Sequence, residues 1–173
     1  MFSTLVASTL WPEKPGSRSA LGPCPGTATA MAVAELASQQ KLLVVVVPSS
    51  ASAAALEREL PLFSSAPLNI LTLPDWETLP YDNFSPHQDI VSERLATFHQ
   101  LQDVATGILI VPITTLMQRT PPVHYVAGNS LVLDVGQALD SKTLIHNLTL
   151  NGYRAVDTVY EHGEYAVRGS LLD

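Results

Sequence analysis

The chain has 173 residues with 9 Lys+Arg against 16 Asp+Glu, a formal net charge of -7, and this balance argues against a stand-alone nucleic-acid binder, which needs clustered basic residues to neutralise phosphates. Its one cysteine, Cys24, excludes an internal disulfide and a thiolate metal cluster and fits a reducing compartment. Charged residues make up only 14 %, roughly ten points below the usual soluble share, so part of the surface is expected to be covered by a partner or by further chain.

The amino terminus has no basic stretch ahead of its apolar residues and meets Pro12 early, which argues against a secretory signal and makes the cytoplasm the expected compartment. Pro12, Pro15, Pro23 and Pro25 interrupt the first 30 residues, and 1–24 reads as an extended or flexible arm. From Met31 to Gln40 the Ala-rich pattern, with Val33, Leu36 and Ala37 at helical spacing, predicts a helix starting within 27–30. Lys41–Pro48 holds LLVVVV, the longest compact apolar run and far short of the roughly 18 residues of a membrane span, so no membrane partner is expected. Apolar on both faces, it reads as a central strand of a parallel sheet covered by helices on both sides.

Ser49–Ser52 supply a cap for a helix over 52–60, with Leu56, Leu60 and Phe63 at i, i+4 and i+7, ending by Pro61. Asn69–Leu73 follows as a short strand closed by Pro74. In SPHQDIVSERLATFHQL, Ser85 reads as N-cap, Pro86 as the first helical residue and Gln88 as the third, with Val91, Leu95, Phe98 and Gln102 facing the sheet. ILIV at 108–111, after Gly107, is a second buried parallel strand, and Thr114 caps a short helix through Arg119. Strands alternating with helices at these lengths predict an α/β fold, a parallel sheet flanked by helices.

The pattern changes at Thr120-Pro121-Pro122, a stiff boundary, so 25–119 reads as one domain and 120–173 as part of a small α+β domain. There Leu131, Leu133 and Val135 alternate like a strand with one wet face. Asp140 caps a helix containing Leu144, Ile145 and Leu148, with Gly152 just past its end. Arg154–Tyr160 and Glu164–Arg168 read as two strands of a hairpin joined through Glu161-His162-Gly163. Nothing after Arg168 reads as a closing element, so the second domain is expected to be cut short.

Catalytic signals are sparse. Gly22-Pro23-Cys24-Pro25-Gly26-Thr27 precedes a helix as a phosphate loop would. Its glycines, however, stand one residue too close for GxxxxGK[ST], no Lys lies between Lys14 and Lys41, and two prolines delete N–H donors. It reads as a helix-capping loop. Asp75, Glu77, Asp82, Asp89 and His87 cluster in DWETLPYDNFSPHQD without EF-hand or HExxH spacing and read as caps, turns and surface. Trp76, Tyr81 and Phe84 lie among turn residues, where aromatics either pin a loop to its own domain or form a contact surface. Cys24 has no basic neighbour, and His99, His124, His146 and His162 are dispersed with no G-x-S-x-G elbow. No catalytic, cofactor-binding or metal-binding residue is assigned. Arg168, in GEYAVRGSLLD, is open to two readings: a salt bridge with Glu164 or Asp157, or a planar five-donor anchor for another protein.

Residues 74–119, PDWETLPYDNFSPHQDIVSERLATFHQLQDVATGILIVPITTLMQR, and 152–173, GYRAVDTVYEHGEYAVRGSLLD, closely resemble the amino-terminal, UvrB-like module of the bacterial transcription-repair coupling factor family (Mfd), truncated within its UvrA-binding-like domain; weaker similarity spans about 25–173. The resemblance implies a degenerate P-loop helicase-like domain that has lost its phosphate loop and is no motor, followed by a domain resembling the UvrA-binding domain of UvrB. It implies a non-catalytic role in recruiting UvrA, linking stalled transcription to nucleotide excision repair, with Arg168 matching an arginine that engages UvrA. ATP, Mg2+, DNA and RNA polymerase would be engaged by domains of the full-length translocase that are absent here. Two rival readings stay open: an intramolecular contact that masks the UvrA site or restrains the motor, and a vestigial ATP-binding domain.

Overall fold

A computed structural model describes residues 14–38, 41–79 and 81–173. Gln39 and Gln40, the end of the first predicted helix, and residues 1–13 of the predicted arm lie outside that set. Packing divides the chain into two compact units, Met1–Pro121 and Pro122–Asp173.

The first unit runs α1 (Ala28–Ala37), β1 (Leu42–Val47), α2 (Ser50–Glu59), a 3-10 turn (Leu60–Phe63), β2 (Ile70–Thr72), α3 (Gln88–Gln100), β3 (Gly107–Pro112) and the single turn α4 (Ile113–Leu116). The strands form a parallel sheet in the order β1-β3-β2, with Leu109 opposite both Val44 and Leu71. Every residue of β3 is buried, which is why its run is apolar without alternation. On one face Ile108 and Ile110 pack with Ala30, Val33, Ala34 and Ala37 of α1, Ala53 and Leu56 of α2, and Leu60. On the other, Leu109 and Val111 meet Leu71, Leu73 and the Phe98, Leu101 and Val104 side chains. Burial of each large apolar side chain contributes about 1.5–3 kcal/mol, so β3 is the axis of this unit. Gly107 lets β2 close on it: its φ is +136°, a Cβ there would lie 2.5 Å from the Asn69 carbonyl oxygen, and Ile108 N–H donates to that same oxygen at 2.8 Å.

β1 departs from the expected central position. It is an edge strand of the described sheet: Leu43, Val45 and Val47 join the first cluster and Leu42 the second, while Val44 and Val46 stay 50 % and 46 % exposed. An apolar run specifies two dry-tolerant faces, but what packs across them decides whether both are covered.

The helix starts follow their capping chemistry. Ser49 is extended and its Oγ accepts the Ser52 N–H at 3.2 Å, so α2 begins just ahead of its predicted start; Leu60 is fully buried, whereas Phe63 is exposed. The cap of α3 is His87, not Ser85: His87 keeps an extended backbone (ψ 140°) and its Nδ1 accepts the Asp89 N–H at 3.3 Å, so Pro86 and His87 precede the helix. The buried stripe of α3 is also turned from the expected one, with Arg94 and Thr97 inward and Leu95 exposed. Thr97 Oγ1 donates to the Thr72 carbonyl at 2.9 Å and Arg94 Nη1 donates to the Pro74 carbonyl. These acceptors at the end of β2 require donors, and the helix rotates to supply them. α4 starts after Pro112 with no side-chain cap and ends at Leu116; the Thr114 hydroxyl goes to Asp75 instead.

The second unit contains α5 (Val123–Asn129), α6 (Ser141–Leu150), β4 (Arg154–Ala155), β5 (Glu164–Tyr165), β6 (Val167–Arg168) and β7 (Leu171–Leu172). α6 is capped as its sequence predicts: Asp140 accepts from Lys142 N–H and Thr143 Oγ1, and Gly152 adopts φ +86° beyond the last turn. Leu131, Leu133 and Val135 form no strand, because no neighbouring strand pairs with them among the described residues. The predicted hairpin is replaced by a parallel pair, β4 with β5, and an antiparallel pair, β6 with β7. A hairpin would place Tyr160 in the strand ladder and Glu161 in the connection; here the amides of both donate to the Glu164 carboxylate. Gly169, at φ +64°, turns the chain into β7, which supplies a closing element that was not expected.

Candidate functional site

Arg168 lies on the exposed face of β6. Its Nη2 donates to the Asp157 carbonyl at 2.7 Å and to Thr158 Oγ1 at 3.2 Å. The predicted salt bridge is therefore not formed: Arg168 meets the main chain of Asp157 rather than its carboxylate, and Glu164 pairs with Arg154. Glu164 is the organising group. Its side chain is only 8 % exposed, Oε1 accepts from Arg154 Nη2, and Oε2 accepts the Tyr160 and Glu161 N–H groups at 3.0 and 3.2 Å. The Tyr160 amide first, then Arg154, holds its carboxyl below the usual carboxylate range, and the same pairing raises the Arg154 guanidinium. Arg154 N–H to the Gly163 carbonyl and Val156 N–H to the Tyr165 carbonyl close the base of the intervening segment, 156–163. A shallow cleft of about 410 Å³ lined by Ile145, Ala155, Val156, Asp157, Tyr165 and Val167 lies beside it. This arrangement offers an arginine with a preset direction and an exposed Tyr160, the residue types over-represented at protein-binding hot spots.

A second polar cluster sits in the first unit. Arg94, 1 % exposed, stacks 4.0 Å from the centroid of the Trp76 ring. Asp75 accepts from Trp76 N–H at 2.8 Å, Thr114 Oγ1 at 2.8 Å and Gln118 Nε2 at 3.1 Å. Partial burial raises the Asp75 carboxyl, but these three donors, with the Arg94 charge, outweigh it and leave the pKa below its ordinary value. Burial lowers the Arg94 guanidinium, against the pull of Asp75. The cluster ties loop, helix and strand end together. It also divides the aromatic loop: Trp76 is pinned, whereas Tyr81 and Phe84 are exposed, with positive φ at Glu77 and Tyr81.

The remaining candidates do not converge. Gly22–Thr27 leads into α1, Thr27 makes no side-chain cap bond, and residues 14–27 contain no strand. With Pro23 and Pro25 lacking N–H groups and no lysine at hand, these residues do not fit a triphosphate. Cys24 Sγ is turned to the Gly22 carbonyl at 3.4 Å. Among the described residues no group of three or more His, Cys, Asp or Glu side chains could hold a metal ion, and no helix is long and apolar enough to cross a membrane.

Residues 131–173, which include Arg168, Glu164 and the 156–163 segment, match the family described as the UvrB interaction domain. Over 163 residues, 94 % of the chain, it is 47 % identical to the transcription-repair-coupling factors of Escherichia coli strain K12 and Haemophilus influenzae, and over 105 residues it is 35 % identical to that of Myxococcus xanthus. The chain is thus homologous to a part of the transcription-repair-coupling factors. It spans 14 % of the length of the first two relatives. Sequence reasoning singles out Arg168 in this coupling-factor homologue but misses Glu164 in the same unit and, separately, Arg94 in the first unit. From sequence alone Glu164 reads as a salt-bridge partner of Arg168, and the signal that it turns back on the chain is the turn-forming Glu161-His162-Gly163 just before it. Arg94 gives no signal because a charged side chain on a helix is expected to face water.

Proposed function

We propose that this chain is a non-catalytic docking module that recruits UvrA, with Arg168 as its anchor. The observation supporting this is the match of residues 131–173 to the UvrB interaction domain, which contains Arg168 on an exposed strand. A guanidinium already aligned by Asp157 and Thr158 keeps other N–H groups for a carboxylate or carbonyl of the partner, and little side-chain freedom is lost on binding. The first unit is the companion scaffold, a helicase-type α/β domain whose phosphate-loop position holds a proline-bearing loop that leads into α1 without a side-chain cap. In the whole coupling factor, ATP, Mg2+, DNA and RNA polymerase belong to segments outside this chain.

Titration of UvrA with the wild-type chain and with Arg168→Ala tests the proposal. Loss of a hot-spot arginine costs about 2 kcal/mol or more, roughly 30-fold in Kd. Equal affinities would remove Arg168 from the site.

A further inference from the structure

Resting on that docking reading, we infer that Glu164 is a positioning residue for UvrA binding: it acts through Arg168, by holding the 156–163 segment against which the guanidinium is set. Glu164 Oε2 fixes the amides of Tyr160 and Glu161, while the β4–β5 backbone bonds fix the two ends of the same segment. Asp157 and Thr158, the residues that receive Arg168, lie between these tethers. The connection thus runs from a nearly buried carboxylate, through three residues of main chain, to an exposed guanidinium. Arg154, on β4, holds the other carboxylate oxygen through its Nη2. Without Glu164 the strands could still pair, but the Tyr160 and Glu161 amides would lose their shared acceptor. Arg168 would then lose the two acceptors that set its direction before UvrA arrives.

The consequence is a defined coupling. Re-ordering a long side chain and its supporting turn on binding lowers affinity by about 3–10-fold, and the loss disappears once Arg168 itself is gone. Titrations of UvrA with wild type, Glu164→Ala, Arg168→Ala and the double variant, all as the 173-residue chain, measure this. Glu164→Ala should weaken binding about 3–10-fold on the wild-type background and leave Arg168→Ala unchanged. Glu164→Gln keeps an acceptor for the two amides but gives up the charge and the ion pair with Arg154, so its affinity should fall between those of wild type and Glu164→Ala, which also covers the case in which the alanine variant fails to fold. Amide hydrogen exchange at Tyr160 and Glu161 should accelerate in Glu164→Ala without UvrA present. Additive losses in the double variant, or wild-type affinity in Glu164→Ala, overturn the positioning role. Absence of UvrA binding by the wild type overturns the docking reading instead, and unchanged exchange at the two amides would then dispose of the Glu164 tether independently.

Discussion

In the first unit the central strand β3 buries all six of its residues between two apolar clusters. In the second the strands are two residues long, and an ion pair with its ring of amides holds the segment beside Arg168. A dry sheet resists changes of pH and salt because burial of hydrocarbon does not depend on charge. The segment held by Glu164, Arg154 and main-chain donors instead has its order tied to one ionised carboxylate. One unit rests on apolar burial and the other on polar tethers.

The largest effect that would sharpen this contrast comes from Ile110→Ala. Ile110 is fully buried at the centre of β3, and its truncation should cost about 2–5 kcal/mol, measured by chemical denaturation. A loss under about 1 kcal/mol would mean that β3 is not the axis of the first unit. Next comes Arg94→Met, which keeps much of the stem but leaves the Pro74 carbonyl without its donor and Trp76 without its cation. It should destabilise the first unit by about 1–3 kcal/mol, with a change in Trp76 fluorescence, and a neutral result would show that the apolar clusters alone hold α3.

The smallest effect is the pH response. Glu164 has a folded pKa below its unfolded value, so its contribution is fully present above about pH 4.3 and is lost as pH falls through the lower folded value. Asp75 carries the same sign in the first unit, at one end of the sheet only. Amide NMR during acid titration should therefore show Tyr160 and Glu161 released while β3 amides stay protected. Release of β3 first would invert the comparison.

Where local chemistry is self-sufficient, the sequence announces the structure. Asp140 and Gly152 bracket α6 because a side-chain cap and a positive-φ residue act within one turn, and the ILIV run becomes β3 because four consecutive apolar residues need two dry faces. The failures are non-local. LLVVVV has the same composition as a central strand, yet Val44 and Val46 are bare because nothing described packs across them. The turned stripe of α3 follows from carbonyls 20 and 25 residues away in the chain. The candidate site divides the same way: that Arg168 stands on a strand is legible in the sequence, while the role of Glu164 depends on its carboxylate facing the Tyr160 and Glu161 amides.

The sequence by itself determined the alternation of helix and strand in the first unit, the caps of α2 and α6, the misfit of Gly22–Thr27 to a phosphate, and the residues shared with coupling factors, since each depends on groups adjacent in the chain or on identity alone. Tertiary structure decided which strand is central, that Arg94 is enclosed, that β4 and β5 run parallel, and that Glu164 serves the segment holding Arg168 rather than Arg168 itself. Those outcomes depend on which acceptors remain unpaired after the backbone has folded, and that competition has no local signature.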